Sequence, residues 1–290
     1  MTDPITVGVD GSPESRAALG WAAREAVRRD LPLSVVYAWH WPPHDMVGGG
    51  DREDQERWAR GMVEDAARTV TDRHEGLRVT AEVLDGEAVE ALLRVAAPEG
   101  VLVLGSRGYG AFVGFLLGSV GQQVISRSPG PVVLVRTEDR PEGEAGGREI
   151  VVGQQGGPDD SAPGLRFAFE TAAARGAAVR AVRAWSLPPV FAYSPASLRL
   201  LDEAGGLEPY ERKALGEALQ PWRQRYPDVA VTEHVEMGSA GQVLLSLSDR
   251  AQLMVVGRRA ERSAVGGRIG SVAHAVLHHA PCPVAVVPHS

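Results

Sequence analysis

The chain repeats itself. ITVGVDGSPESRAALGWAAREA, beginning at Ile5, returns as IVVGQQGGPDDSAPGLRFAFETA from Ile150, and AWHWPP at Ala38–Pro43 returns as AWSLPP at Ala184–Pro189. Further on, GEAVEALLRVAAPEGVLVLGSRG from Gly86 matches GSAGQVLLSLSDRAQLMVVGRRA from Gly238, and SRSPGPVVLVR at Ser126 matches HHAPCPVAVVP at His278. A duplication that keeps its order and spacing means one fold built twice. The length of 290 residues agrees, since about 150 residues make a domain. Between the copies, TEDRPEGEAGG at Thr137–Gly147 is acidic, rich in glycine and without apolar periodicity, so it reads as a linker. The predicted domains are 1–137 and 148–290, joined by a linker over 138–147.

Within the first copy, short β-branched runs alternate with stretches of helical period. ITVGV, LSVVYAW, RVTAEVL, VLVLG and PVVLVR read as strands, and helices are predicted at about Ser12–Arg29, Arg52–Glu75, Ala88–Ala97 and from Ser119. Alternating strands and helices give an α/β domain with a parallel sheet covered on both faces. In such sheets ligands sit beyond the carboxyl ends of the strands, where strand order reverses. The first strand is expected to end at Asp10 and the fourth at Gly105.

Between the fourth strand and the next helix the chain reads GSRGYGAFVGFLLGS, Gly105–Ser119. Glycine admits positive φ and close backbone approach, so the stretch is either a phosphate cradle or a loop that needs room to turn. Its place favours phosphate. The unpaired amides around Gly118–Gly121, at a helix N-terminus, are suited to phosphate oxygens, with the Ser119 hydroxyl as a further donor. Gly105 and Gly108 would let the backbone approach ribose and phosphates, or serve as bare turn residues. Asp10 is placed to accept hydrogen bonds from an adenine amino group or a ribose hydroxyl, or alternatively to cap the first helix with Ser12.

The pattern Gly105-x2-Gly108-x9-Gly118-Ser119, with VGVDGS at Val7–Ser12 and the closing SPGPVVLVR, resembles the ATP-binding type of universal stress protein. Both halves carry it, so essentially the whole chain is similar to the tandem members of that family. The resemblance implies two tandem five-stranded parallel-sheet domains of the Rossmann-like adenine-nucleotide fold. It implies ATP, with magnesium, held near Asp10 and the backbone of Ala38, with the triphosphate on Gly105, Gly108, Gly118, Ser119 and Val120. It also implies a regulator of stress tolerance or growth arrest that pairs as a homodimer through its last strands and is read by a partner protein.

The second half departs from the pattern. It reads Gly257-x2-Ala260-x9-Gly270-Ser271, with Ala260 at the place of Gly108 and Gln155 at the place of Asp10. A Cβ at 260 requires negative φ, and glutamine is longer and uncharged. The first domain is therefore expected to bind ATP better. Arg258, Arg259 and Arg262 either add charge near the phosphates of a second site, with Gly257, Gly270 and Ser271, or are solvated loop charges.

Other readings are narrower. A Rossmann G-x-G-x-x-G fails because the glycine after Gly108 and Gly110 is Gly114, one residue late, and the only lysine, Lys213, lies in ERKAL, which rules out a Walker loop. VDGSPES resembles the SGG-x-DS loop of ATP pyrophosphatases but lacks its second glycine, leaving an ATP-cleaving enzyme as one alternative. A nucleotide-independent interaction module is another, and the changes in the second half suit it. No general base or nucleophile is evident near the phosphates, so efficient hydrolysis is not expected. His274, His278 and Cys282 fall at four-residue steps, but Pro281 ends the helix before the cysteine and no fourth ligand is evident. Trp39 and Trp41 either flank an adenine or pack as core, and the loop His44–Asp54 reads as a lid. The apolar YGAFVGFLL either packs under a neighbouring domain or forms a partner surface.

Net charge is −7 with pI about 5.7, so no global positive field gathers nucleic acid or anionic lipid. One cysteine precludes an internal disulfide, and MTDPITVGVDGS lacks a secretory pattern, which sets a cytoplasmic expectation. No run approaches the roughly 18 apolar residues of a membrane span.

Overall fold

The computed structural model describes residues 3–40, 52–106, 118–137, 148–187, 206–259 and 269–289. Gly108, Trp41, Ala260, Arg262, the linker 138–147, most of the lid loop and the YGAFVGFLL segment lie outside these residues. The chain divides into two compact units, one built on residues 3–137 and the other on 148–259 and 270–289.

The first unit runs β1 (Ile5–Gly8), α1 (Pro13–Arg29), β2 (Leu33–Trp39), α2 (Arg52–Thr71), β3 (Val79–Asp85), α3 (Ala88–Val95), β4 (Val101–Gly105), α4 (Ser119–Arg127) and β5 (Val132–Val135). Its strands are parallel in the order β3-β2-β1-β4-β5, with Ile5 opposite both Leu33 and Val101. Strand order therefore reverses between β1 and β4, so their carboxyl ends open the ligand crevice. The central strands bury nearly every residue, because helices cover both faces, and VVLV of β5 is wholly buried. β1 ends at Gly8 rather than at Asp10. Val9 N–H still bonds the Val36 carbonyl at 2.9 Å, and Asp10 falls in the turn that follows.

The second unit repeats the plan with β6 (Glu149–Gly153), α5 (Pro158–Arg175), β7 (Val179–Trp185), α6 (Glu208–Arg225), β8 (Val231–Met237), α7 (Ala240–Ser246), a 3-10 turn (Ser248–Arg250), β9 (Ala251–Arg259), α8 (Ser271–His279) and β10 (Val284–His289). Its strands are parallel in the order β8-β7-β6-β9-β10. Five strands per unit agree with the sequence reading.

Equivalent positions follow from backbone hydrogen bonds that recur in both units. Helix α1 closes with Leu31 N–H on the Ala26 carbonyl and α5 with Ala177 N–H on the Ala172 carbonyl, both at 2.9 Å. Asp30 and Gly176 carry the left-handed caps, with φ 51° and 60°. Counting back from those caps pairs Trp21 with Phe167, Ala22 with Ala168 and Ala23 with Phe169, all of them buried. The two helices differ by one residue at their N-terminal ends, with 17 residues in α1 and 18 in α5. After α2 and α6, His74 N–H bonds the Val70 carbonyl as Tyr226 N–H bonds that of Trp222, so His74 pairs with Tyr226 and Val70 with Trp222.

Candidate functional site

In the first unit the β1–α1 turn is built around Asp10. Its Oδ1 accepts from the Ser12 amide at 3.0 Å and from the Ser12 hydroxyl at 2.5 Å, while Ser12 Oγ accepts from Ser15 N–H at 3.1 Å and so caps α1. The capping role anticipated for Asp10 with Ser12 is thus present. Burial raises the Asp10 pKa, but the hydrogen bonds from Ser12 and Ser15 outweigh it and leave the group below its ordinary value. Asp10 is an ionised, exposed carboxylate with lone pairs beyond those Ser12 uses. The neighbouring Tyr37 hydroxyl is pushed upward, by burial first and by the Asp10 charge second.

Gly105 ends β4 for a reason the sequence did not give. A Cβ there would lie 2.5 Å from the Glu14 carbonyl carbon and 2.7 Å from Ser15 N. Glycine at this position lets the first turn of α1 sit against the strand. Gly118 differs. It caps α4 at φ −57° and ψ 143°, angles open to any residue, and no side chain caps the helix. The first helical bond runs from Gln122 N–H to the Gly118 carbonyl, leaving the amides of Ser119, Val120 and Gly121 without intrahelical partners. Gly270 repeats this at the start of α8, with φ −63°, no side-chain cap and open space where its Cβ would stand. Among the described residues neither packing nor backbone strain explains that glycine.

In the second unit the carboxyl ends of β6 and β9 enclose a cavity of about 310 Å³, lined by Gln155, Ala184, Gly257 and Val272 among others. These are the counterparts of Asp10, Ala38, Gly105 and Val120. The turn is held by other chemistry. Gln154, at the place of Val9, donates to the Gly156 carbonyl and to Ser161 Oγ, each at 3.2 Å, and accepts from Arg183 Nη1 at 2.5 Å. Arg183, at the place of Tyr37, is bridged in turn to Glu211 at 2.5 Å. Asp160 Oδ2 accepts from Gly157 N–H at 2.9 Å in place of the missing serine cap.

Three features here were not read from the sequence. His289 packs over Gly257, whose Cβ would meet the imidazole at 2.9 Å, and so lines the cavity from β10. Gln154 is buried. Arg258 is also buried, at 5% exposure, and its pKa is lowered by that burial, so it is no solvated loop charge; Arg259, the next residue on the alternating strand, lines the cavity. His274 and His278 bring their rings to 4.2 Å on α8 and Cys282 is buried, but among the described residues no group of three His, Cys, Asp or Glu side chains is arranged to hold a metal. No helix of the described residues is long and apolar enough to cross a membrane.

Two five-stranded units with a glycine-capped helix after the fourth strand of each match the Universal stress protein family, whose sequence profile covers residues 1–136 and again 147–288. The chain belongs to the universal stress protein family. A universal stress protein of Mycobacterium tuberculosis is 34% identical over 305 residues, 97% of this chain and 94% of its own length. The fold is similar to that of a universal stress protein from Archaeoglobus fulgidus DSM 4304, at a TM-score of 0.73 and 16% identity over the whole of both chains. Another universal stress protein from Archaeoglobus fulgidus, solved in complex with dAMP, matches 48% of this chain at 25% identity and a TM-score of 0.34.

Proposed function

We propose that the first unit binds ATP, with magnesium, in the crevice at the carboxyl ends of β1 and β4. In this reading the chain is a cytoplasmic stress-response or growth-arrest regulator, paired as a homodimer, whose occupancy is read by a partner protein. The observation that carries the reading is the cavity of the second unit. Four counterparts of the candidate residues line a single space of about 310 Å³, at the lower end of the range for small-molecule sites. In this reading Asp10, Ala38, Gly105 and Val120, their counterparts in the repeat, take the same part in the first unit.

Each residue then has a task. The Asp10 carboxylate accepts from a ribose hydroxyl or the adenine amino group, and the Ala38 backbone flanks the base. The uncapped amides of Ser119, Val120 and Gly121, with the Ser119 hydroxyl, receive phosphate oxygens at the positive end of α4. The first turn of α4 reads SVGQQ, which supplies donors but no general base, so the reading assigns binding rather than rapid hydrolysis. The second unit is the weaker site in this reading. Gln155 lacks the carboxylate charge, and His289 stands against Gly257.

Titration calorimetry of the full chain with ATP and magnesium tests the assignment. Asp10→Ala removes an acceptor of charge-assisted bonds, and Gly118→Ala crowds the phosphates at a cap whose angles alanine adopts freely. Each is expected to weaken binding at least about tenfold, the equivalent of one such hydrogen bond. Unchanged affinity in both variants would overturn the site.

A further inference from the structure

Helices α1 and α2 of the first unit enclose a second cavity, of about 320 Å³. Leu19, Ala23, Met62 and Val70 give it apolar walls, and Arg16, Arg73 and His74 stand against the single acid Asp65. The protein contains its own control for this space. In the second unit the place of Ala23 is taken by Phe169, that of Val70 by Trp222 and that of His74 by Tyr226. These three rings fill the seam between α5 and α6. Phe169 is fully buried, with its ring centroid 6.1 Å from that of Trp222 and 5.9 Å from that of Tyr226 at interplanar angles of 30° and 35°. One backbone plan thus closes a seam with aromatic side chains in one copy and leaves it open in the other. Gly20, in the middle of α1, also lines the open seam, at a position where alanine would favour the helix by about 1 kcal/mol.

The geometry points to a ligand site in the first unit, between α1 and α2 and reaching the β1–α1 turn at Val9, Gly11 and Ser15, for a small apolar carboxylate whose aromatic body takes the place that Phe169, Trp222 and Tyr226 fill in the second unit. The size and shape follow from the rings that occupy the equivalent seam. The anionic group follows from the charge of the lining, where two arginines face one aspartate. Arg16 is already steered there, since its Nη1 donates to the Gly11 carbonyl at 2.6 Å. Arg73 lies in the turn after α2 and offers the planar fork suited to a carboxylate. An apolar cavity of this volume excludes little by shape alone, so the carboxylate contact supplies the selection.

The probe is 1-naphthoate, titrated into the full chain by calorimetry, with 1-naphthalenemethanol as the uncharged comparison. One saturable site per chain is expected, with naphthoate bound more tightly than the alcohol. The triple variant Ala23→Phe, Val70→Trp, His74→Tyr transplants a packing arrangement the second unit already uses, and should weaken naphthoate at least about tenfold. Arg73→Gln should remove the preference for naphthoate over the alcohol while leaving the alcohol unaffected. Should the triple variant not fold, Gly20→Leu narrows the same cavity from α1 and gives the same readout. No saturable binding at millimolar naphthoate, or binding that the filled variant retains, overturns the proposal. Both titrations are run without added nucleotide, so neither reads ATP binding.

Discussion

Gly105→Ala and Gly257→Ala change the same position of the repeat, yet the structure predicts unequal costs. At 105 the new Cβ would stand 2.5 Å from the Glu14 carbonyl carbon and 2.7 Å from both Glu14 O and Ser15 N, all backbone atoms of α1. Carbon contacts settle near 3.5–4.0 Å, so the start of α1 must withdraw by about 1 Å. That withdrawal strains the Ser12–Ser15 cap as well. Overpacking of this kind costs 1–3 kcal/mol, and a clash relieved only by moving a capped helix belongs near 3 kcal/mol, less about 0.5 kcal/mol recovered from the stiffer unfolded chain. At 257, among the described residues, the Cβ meets the His289 ring, a side chain rather than backbone, at 2.9 Å, and a shift of that side chain relieves it for about 1 kcal/mol. Thermal unfolding followed by tryptophan fluorescence, with the two units fitted separately, should show Gly105→Ala lowering the first unit's midpoint by roughly 10 °C. Gly257→Ala should move the second unit's midpoint by a few degrees at most. Equal shifts, or a larger one for Gly257→Ala, would refute the packing argument.

Phe169→Ala opens the aromatic seam of the second unit and should destabilise that unit by about 3–5 kcal/mol in urea denaturation; a cost under about 1 kcal/mol would mean the rings do not hold α5 to α6. Glu25 is fully buried on α1, 2.7 Å from the Arg29 guanidinium and 3.8 Å from that of Arg28, so Glu25→Ala breaks a buried charge cluster and should cost about 3 kcal/mol by the same measurement. In contrast, Glu90→Ala removes a fully exposed pair with Arg127 and should leave the midpoint within error. The native pKa of Asp10 is depressed, so its contribution is present above the unfolded value of about 3.9 and disappears as pH falls through the native value. The stability difference between wild type and Asp10→Ala should therefore hold constant from pH 8 to 5 and shrink below about pH 4. A difference already gone at pH 6 would contradict that assignment.

The strands and helices were legible because their signals are local. The runs ITVGV and LSVVYAW, and the helical period of α1, each state their own structure, and the repeat gives every reading twice. The site was legible only in part. Asp10, Gly118 and Gly270 were recognisable by place and spacing, but the reason for Gly105 lies ninety residues away in the backbone of Glu14, and no local pattern records it. Arg258 was left as either phosphate-side or solvated loop charge because the loop reading hid the strand; β9 extends through Arg259, and its alternation buries Arg258 and turns Arg259 to the cavity. The aromatic seam was hidden by the one-residue difference in length between α1 and α5. Aligned from their N-terminal ends, Phe169 falls opposite Arg24, and only the C-terminal caps set it opposite Ala23. His289 enters the second cavity through sheet register, since its partner across the strands is Arg259.

The central claim is that the first unit holds ATP. Its most direct test is to purify the native protein, denature it and quantify the released nucleotide per chain by chromatography, with and without prior addition of ATP and magnesium. The account predicts about one ATP per chain, lost in Asp10→Ala. No nucleotide under either condition would contradict it and leave the Gly105–Ser119 stretch as a loop that needed room to turn.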